Sequence, residues 1–283
     1  MRKRINMFVV ILLFVSVFAG CNKTMNRTVF VGEKSGATYT LADDIHPMYQ
    51  NICLIARPLS DKTVQTLYNE LGVEEKDIFD IEPSDEIGLY SLYFSRQDPP
   101  DHYSVEENSF LPVSEMTEEN VKFKAKEFLE KVGITPEGEY ALIAEPGDSQ
   151  RYCIVTYCPT CEGVPLLYAP KIEISFSSRQ IEGFVYSWAV VEEKGQPYPT
   201  EAVSSPEKAI PLFERHLEEN HMDFSNPLAP IGRITQAYHI EYPSPDRPSE
   251  PAQILLHPIW VFSRNSIIDS GNLLVDMITG EIE

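Results

Sequence analysis

The sequence predicts an α+β protein in which helices pack against antiparallel sheets. Three segments carry apolar residues at the three- and four-residue intervals of an amphipathic helix, and several others alternate apolar and polar residues as strands do. Helices and strands do not alternate one by one, because a run of strands follows each of the last two helices. Elements grouped in this way are typical of α+β layers rather than of parallel α/β sheets.

The first elements lie within residues 46–115, which we interpret as a small N-terminal α/β unit. Residues 52–56 are mainly apolar and predict a short buried strand. Ser60 is a favourable N-cap for a helix whose apolar residues recur at helical spacing, and Gly72 predicts the end of that helix. A second strand is predicted at residues 89–94.

Residues 116–202 contain the second helix and a series of strands. Thr117 is the expected N-cap, and Gly133 marks the C-terminal end. The apolar face of this helix consists of Val121, Ala125, Phe128, Leu129 and Val132. Three strands are predicted after it, at about residues 151–157, 171–177 and 183–191.

Residues 203–283 repeat this order of elements. A third helix begins at Ser205 with Pro206 in its first turn, a position that proline favours. Strands follow at about residues 231–242, 253–263 and 272–278. An offset of 88 residues lays Thr117 on Ser205 and Leu129 on Leu217. The shared order predicts that the two blocks are repeats of one helix-then-strands unit.

Three further motifs lie in these blocks: Gly163-Val164-Pro165 before an alternating strand, Leu256-His257-Pro258-Ile259-Trp260, and the closing Thr279-Gly280-Glu281-Ile282. With these motifs, both blocks resemble the PepSY-like repeats of bacterial exported proteins, and especially the extracytoplasmic regulators of the YycI/YycH type. The resemblance implies a helix-on-sheet fold and a regulatory role. The sequence departs from the pattern at Met277, where alanine is usual, and at Pro211, which removes a backbone hydrogen bond from the third helix.

The N-terminus has the features of a lipoprotein signal peptide over residues 1–20. Arg2-Lys3-Arg4 is followed by an uncharged apolar run at residues 7–18, which is shorter than the roughly 20 residues of a spanning helix. The segment Val17-Phe18-Ala19-Gly20-Cys21 resembles a lipobox. This pattern predicts cleavage before Cys21, acylation of its sulfur, and attachment to the extracytoplasmic face of the cell membrane. An ordinary secretory signal with a chance cysteine is the alternative.

Residues 21–45 are mostly polar and are interpreted as a tether between the lipid and the folded part. Loss of the three cations in the signal peptide leaves 20 Lys and Arg against 43 Asp and Glu, a net charge of −23. So acidic a chain is not expected to bind nucleic acid, because phosphate binding depends on Lys and Arg contacts. The acyl chains on Cys21, and no basic patch, are the expected link to the bilayer.

Four cysteines follow Cys21, and two of them form a Cys-x-x-Cys motif at Cys158 and Cys161. A small disulfide across a turn is the first interpretation, because a turn brings its end Cα atoms close together in an exported, non-reducing setting. Free thiols rank second. A metal site ranks third, since a second such motif is missing, and redox catalysis ranks last, since no helix begins at the motif. Cys53 and Cys153 complete the set.

No catalytic constellation, metal site or cofactor site is predicted elsewhere. His216 and His221 are five residues apart, which does not place two metal ligands on one helix face. Glu118-Glu119, Glu192-Glu193 and Glu218-Glu219 lie at element ends and are interpreted as solvated. The alternating Phe184, Tyr186 and Trp188 form either a ligand platform or, more often for such a strand, the sheet face under a helix.

These observations lead to a functional hypothesis without enzymatic activity. We expect a membrane-anchored binding or regulatory module for another envelope or exported protein. Two alternatives stay open: a cell-envelope enzyme with a dispersed acidic site, and a thiol or metal sensor built on Cys153, Cys158 and Cys161.

Overall fold

In the computed structural model of the protein, the described residues are 28–32, 37–42, 44–72, 92–95, 116–146, 152–167, 170–177, 180–220, 232–241, 255–263 and 272–282. The signal peptide and Cys21 lie outside these residues, as do His102 and His221. The described part contains three helices and many strands, which confirms the α+β class.

All three helices begin where local signals predict, and the first two also end there. They are α1 (Asp61–Leu71), α2 (Glu118–Val132) and α3 (Pro206–Glu219). The Thr117 side chain accepts a hydrogen bond from the backbone N–H of Asn120 at the start of α2, and Gly133 ends that helix in the left-handed region at a φ of 77°. α3 continues through Pro211.

Thirteen strands lie within the described residues. They are β1 (Val29–Val31), β2 (Thr38–Leu41), β3 (Cys53–Ala56), β4 (Leu92–Ser95), β5 (Tyr140–Pro146), β6 (Tyr152–Cys161), β7 (Val164–Leu167), β8 (Lys171–Ser177), β9 (Ile181–Ser187), β10 (Ala189–Glu193), β11 (Arg233–Glu241), β12 (Leu255–Ser263) and β13 (Leu273–Asp276). Eleven of them join in one sheet, and β3 pairs with β10 separately.

The large sheet consists of two antiparallel parts that are joined by the β6–β7 hairpin. The first part has the order β5, β6, β8, β9, β4, and the second places β11 beside β12 and then β13. β7 follows β6 in the hairpin and pairs in parallel with β11. β2 also pairs in parallel with β11. The ten-residue length of β6 makes this connection possible, because its first six residues pair with β8 and its last two with β7.

Each part of the sheet is covered by a helix on one face. α2 packs on the first part, where the rings of Phe128 and Phe184 lie edge to face with centroids 5.8 Å apart. α3 packs on the second part, where Phe213 stacks on Phe262 at 4.1 Å. All five residues of the predicted α2 face are buried, which confirms that face. The helix on each face buries the apolar stripe that an isolated helix would expose.

The N-terminal segments contribute more to the sheet than their sequence indicated. β1 and β2 lie within the stretch assigned to a tether, and Tyr39 of β2 is only 1% exposed in the core beneath α3. β3 and β4, from residues 46–115, pair with β10 and β9 of the following block. The fold therefore includes β1 and β2 from the stretch assigned to a tether, and these early strands complete sheets formed by later residues. The two-repeat organisation stays a prediction.

Candidate functional site

The cysteines were the first candidate site, and β6 separates their side chains. Cys153, at the start of β6, lies in the core under α2, whereas Cys161, at its end, lies in the core under α3. Cys158 lies in a third apolar cluster on the opposite face of the second sheet part. Alternation along a strand explains the separation, because residues an odd number apart point to opposite faces.

The expected disulfide between Cys158 and Cys161 does not fit this geometry. Both residues belong to one extended strand, so their Cα atoms are about 10 Å apart, whereas a disulfide needs about 4.4–6.8 Å. The turn comes one residue later, at Glu162 and Gly163, which have φ values of 49° and 83°. Two positive φ values in a two-residue loop are typical of a type I′ hairpin, and this loop keeps Cys161 in the ladder opposite Val164.

Burial also disfavours the reactive thiolate form of these three cysteines. It raises the pKa of Cys158 to about 12 and the pKa of Cys153 to about 11, because the apolar surroundings disfavour the charged thiolate. The pKa of Cys161 is raised for the same reason. The Cys158 thiol donates to the Leu166 carbonyl at 2.9 Å. Since the thiolate is the nucleophile and the metal ligand, this arrangement argues against the thiol or metal sensor.

The aromatic strand proves to be core. Phe184, Tyr186 and Trp188 are 0–4% exposed beneath α2. The Tyr186 hydroxyl donates to the Arg57 carbonyl at 2.6 Å, and the Trp188 indole N–H donates to the Glu137 carbonyl at 3.2 Å. The polar ends of these rings therefore fix neighbouring chain segments, and their faces are not available to a ligand.

The predicted carboxylate pairs lie at the surface. Glu118 forms an ion pair with Lys122 one turn later on α2, and Glu192, Glu193 and Glu218 are exposed. The sequence interpretation missed Glu214, which is 1% exposed on α3 and accepts a hydrogen bond from the Tyr39 hydroxyl at 3.3 Å. This contact links α3 to β2. Glu214 lies beside Phe213 on the buried face of α3, and this helical position was the signal in the sequence that indicated a buried carboxylate.

A histidine pair was also missed. His239 of β11 and His257 of β12 are direct partners in the antiparallel register. Nδ1 of His257 lies 3.6 Å from Oδ2 of Asp276, which ends β13. Both histidines lie in strands that the sequence predicted. The pairing register of those two strands, which sets the histidines opposite each other, could not be inferred from the sequence.

The N-terminal edge of the sheet exposes apolar side chains. β1 pairs with β2 on one side and is the terminal strand of the sheet within the part of the chain that the structure describes. Val29 and Val31 are 54% and 66% exposed, whereas Phe30 between them packs toward the core under α3. We call β1 with these two valines the valine edge. Edge strands of this kind can accept another extended chain.

The described residues contain no helix that is long and apolar enough to cross a membrane. No family model matches the chain, and no curated protein matches it. A protein from Eubacterium rectale ATCC 33656, itself uncharacterized, is 9% identical over 91% of this chain and 93% of its own, with a TM-score of 0.44. The Bacillus megaterium YpeB C-terminal domain is a weak structural neighbour, 13% identical over 81% of this chain and 98% of its own, with a TM-score of 0.31. Likenesses at these scores say nothing about what this chain does.

Proposed function

We propose that this protein is a lipid-anchored lipoprotein on the extracytoplasmic face of the cell membrane, where it binds and regulates another envelope or exported protein without catalysing a reaction. The observation that carries the proposal is the N-terminal sequence, in which a cationic start, a short apolar run and Ala19-Gly20-Cys21 coincide. Acyl chains on Cys21 would bury many methylene groups, at about 0.8 kcal/mol each, so the attachment would be stable.

The described residues support a binding role more than a catalytic one. Cys153, Cys158 and Cys161 are buried thiols, the aromatic strand is core, and the paired carboxylates are solvated or held in ion pairs. The resemblance of residues 117–283 to PepSY-like repeats adds the expectation of a regulatory module. An enzyme with a dispersed acidic site needs two carboxylates facing across a cleft, and Glu214, the buried carboxylate on α3, bonds instead to a core tyrosine.

The valine edge is the surface best placed to contact a partner. Val29 follows Cys21 by eight residues, which span at most about 28 Å when fully extended, so this edge stays close to the membrane. An extended segment of an exported protein can add to such an edge through backbone hydrogen bonds, with apolar contacts to Val29 and Val31.

The anchor is tested with a Cys21→Ala variant, metabolic labelling with an alkyne-tagged fatty acid, and membrane fractionation. We expect the wild-type chain to be labelled and membrane-bound, and the variant to be unlabelled and soluble, because the acyl chains are its only proposed link to the bilayer. Cys53→Ala is the matched control, since it removes the exposed thiol of the folded part. A variant that stays in the membrane fraction contradicts the single-anchor proposal.

The partner is tested by photo-crosslinking in intact cells. A photoreactive amino acid at Val31 is compared with the same residue at Phe123 on the outer face of α2, since these side chains are similarly exposed at 66% and 60%. We expect a specific crosslinked partner from Val31 only. Crosslinks from neither position, or equal crosslinks from both, would reject the valine edge as the binding surface.

A further inference from the structure

We propose that His239 and His257 form a binding site for a divalent transition-metal ion on the face of the sheet opposite α3. This inference does not depend on the proposed function. The two histidines are register partners across β11 and β12, so their side chains leave the sheet on the same face. Both are partly exposed, and an ion from solvent can reach their imidazoles.

The spacing of the pair suits two donors on one ion. Directly opposed residues of antiparallel strands have Cβ atoms about 4.5–5.5 Å apart. Imidazole nitrogens bind zinc at about 2.0–2.1 Å, which places the nitrogens of two ligands about 3.3 Å apart in a tetrahedral site. Opposed histidines can converge on this separation by rotating about their side-chain bonds, with no change in the backbone.

Asp276 is the positioning residue of the site. Its Oδ1 accepts hydrogen bonds from the backbone N–H groups of Ile278 at 2.7 Å and Thr279 at 2.6 Å, and these bonds fix the carboxylate. Its Oδ2 lies 3.6 Å from Nδ1 of His257. This distance is longer than a hydrogen bond, but a rotation of the imidazole that shortens it would let the Nδ1–H donate to the carboxylate and leave Nε2 as the metal donor, which is the usual support for a ligating histidine.

The donor set determines the kind of ion. Imidazole nitrogens favour Cu²⁺, Ni²⁺ and Zn²⁺ over Mg²⁺ and Ca²⁺, which prefer oxygen ligands. Within the described ranges no group of three or more His, Cys, Asp or Glu side chains is arranged to hold a metal ion. The site is therefore a two-histidine chelate in which water or a group from a partner completes the coordination.

The test uses the full-length chain in detergent micelles, titrated with NiCl₂ or ZnCl₂ in a non-coordinating buffer. Calorimetry should give one site per chain, and MgCl₂ should not compete. His239→Asn and His257→Asn should each abolish the site, and Asp276→Asn should weaken it by about 10–100-fold. His216→Asn is the matched control, because this partly exposed histidine of α3 belongs to no such pair, and it should bind as the wild type does.

A second measurement observes the ligands in the wild-type chain, and the variants serve to assign its signals. The chain has six histidines, and paramagnetic Ni²⁺ broadens the imidazole proton signals of its ligands first. We expect two of the six signals to broaden at low Ni²⁺ and to be those missing from the His239→Asn and His257→Asn spectra. Absence of binding, broadening of other histidines, or binding that survives the double variant would overturn the proposal.

Discussion

We expect the three buried cysteines to react slowly with a thiol reagent, because burial raises the pKa of their thiols. Free thiols have a pKa of about 8.5, so about 3% of an ordinary exposed cysteine is thiolate at pH 7. With a pKa of about 12, Cys158 has about one thiolate in 10⁵, and Cys153, at about 11, has about one in 10⁴.

The reaction rate falls less steeply than the thiolate fraction. A thiolate of higher pKa is a better nucleophile, with a Brønsted coefficient of about 0.4–0.5. On a logarithmic scale, this offsets nearly half of the rate lost through the smaller thiolate fraction. Ionisation alone should therefore slow Cys158 by about 80-fold and Cys153 by about 25-fold relative to an ordinary thiol. A thiol that reacts only after the core opens regains its ordinary pKa, and this route is slowed about tenfold for each 1.4 kcal/mol that opening requires.

The assay follows Ellman's reagent with the native chain and then with the chain in denaturant, in a Cys21→Ala background. We expect one rapid equivalent, from the exposed Cys53, and three more only after unfolding. The rapid equivalent should vanish in Cys53→Ser. Two or more rapid thiols in the native Cys53→Ser chain, or a Cys158–Cys161 disulfide found by mass spectrometry, would refute the reasoning and restore the thiol sensor.

Three predictions on stability follow, each measured by the urea midpoint of unfolding. Thr235→Val should stabilise the fold by about 1–2 kcal/mol, because the Thr235 hydroxyl is buried without a hydrogen bond; a loss of stability would indicate a bonded hydroxyl. Thr117→Ala should lower the free energy of unfolding by about 1 kcal/mol, because the cap to Asn120 is lost, whereas Thr117→Ser should keep most of that stabilisation. Phe213→Ala should cost about 3–5 kcal/mol, since its ring stacks on Phe262; a cost below 1 kcal/mol would contradict that packing.

The helices could be predicted from the sequence because their signals are local. The caps at Ser60 and Thr117 act on backbone groups three residues away, and Gly133 ends α2 through its own left-handed conformation. The alternating strands at residues 171–177 and 183–191 were also recognised, although the second divides at Trp188 into β9 and β10. β5 was missed, because its sequence, Tyr-Ala-Leu-Ile-Ala-Glu-Pro, does not alternate clearly.

Contacts between distant residues decided what the sequence could not indicate. Residues 21–45 are mostly polar and suggested a tether, yet Tyr39 within them is buried because Phe213 and Phe262, far along the chain, pack around it. The Cys-Pro-Thr-Cys segment suggested a turn, yet it stays extended because β5 and β7 pair with it. In both cases a partner that determines the conformation is distant in sequence: Phe213 for Tyr39, and β5 for the cysteine motif.

The sequence by itself determined the α+β class, the three helices, the buried face of α2 and the acidic charge, and it supports the prediction of a lipid on Cys21. These features depend on composition or on residues within about four positions of each other. Only the tertiary structure separated the cysteines, buried Glu214 beside Tyr39 and set His239 opposite His257. Strand register is fixed by the packing of whole sheets, and a shift of one residue would turn Tyr39 to the other face of the sheet and part His239 from His257.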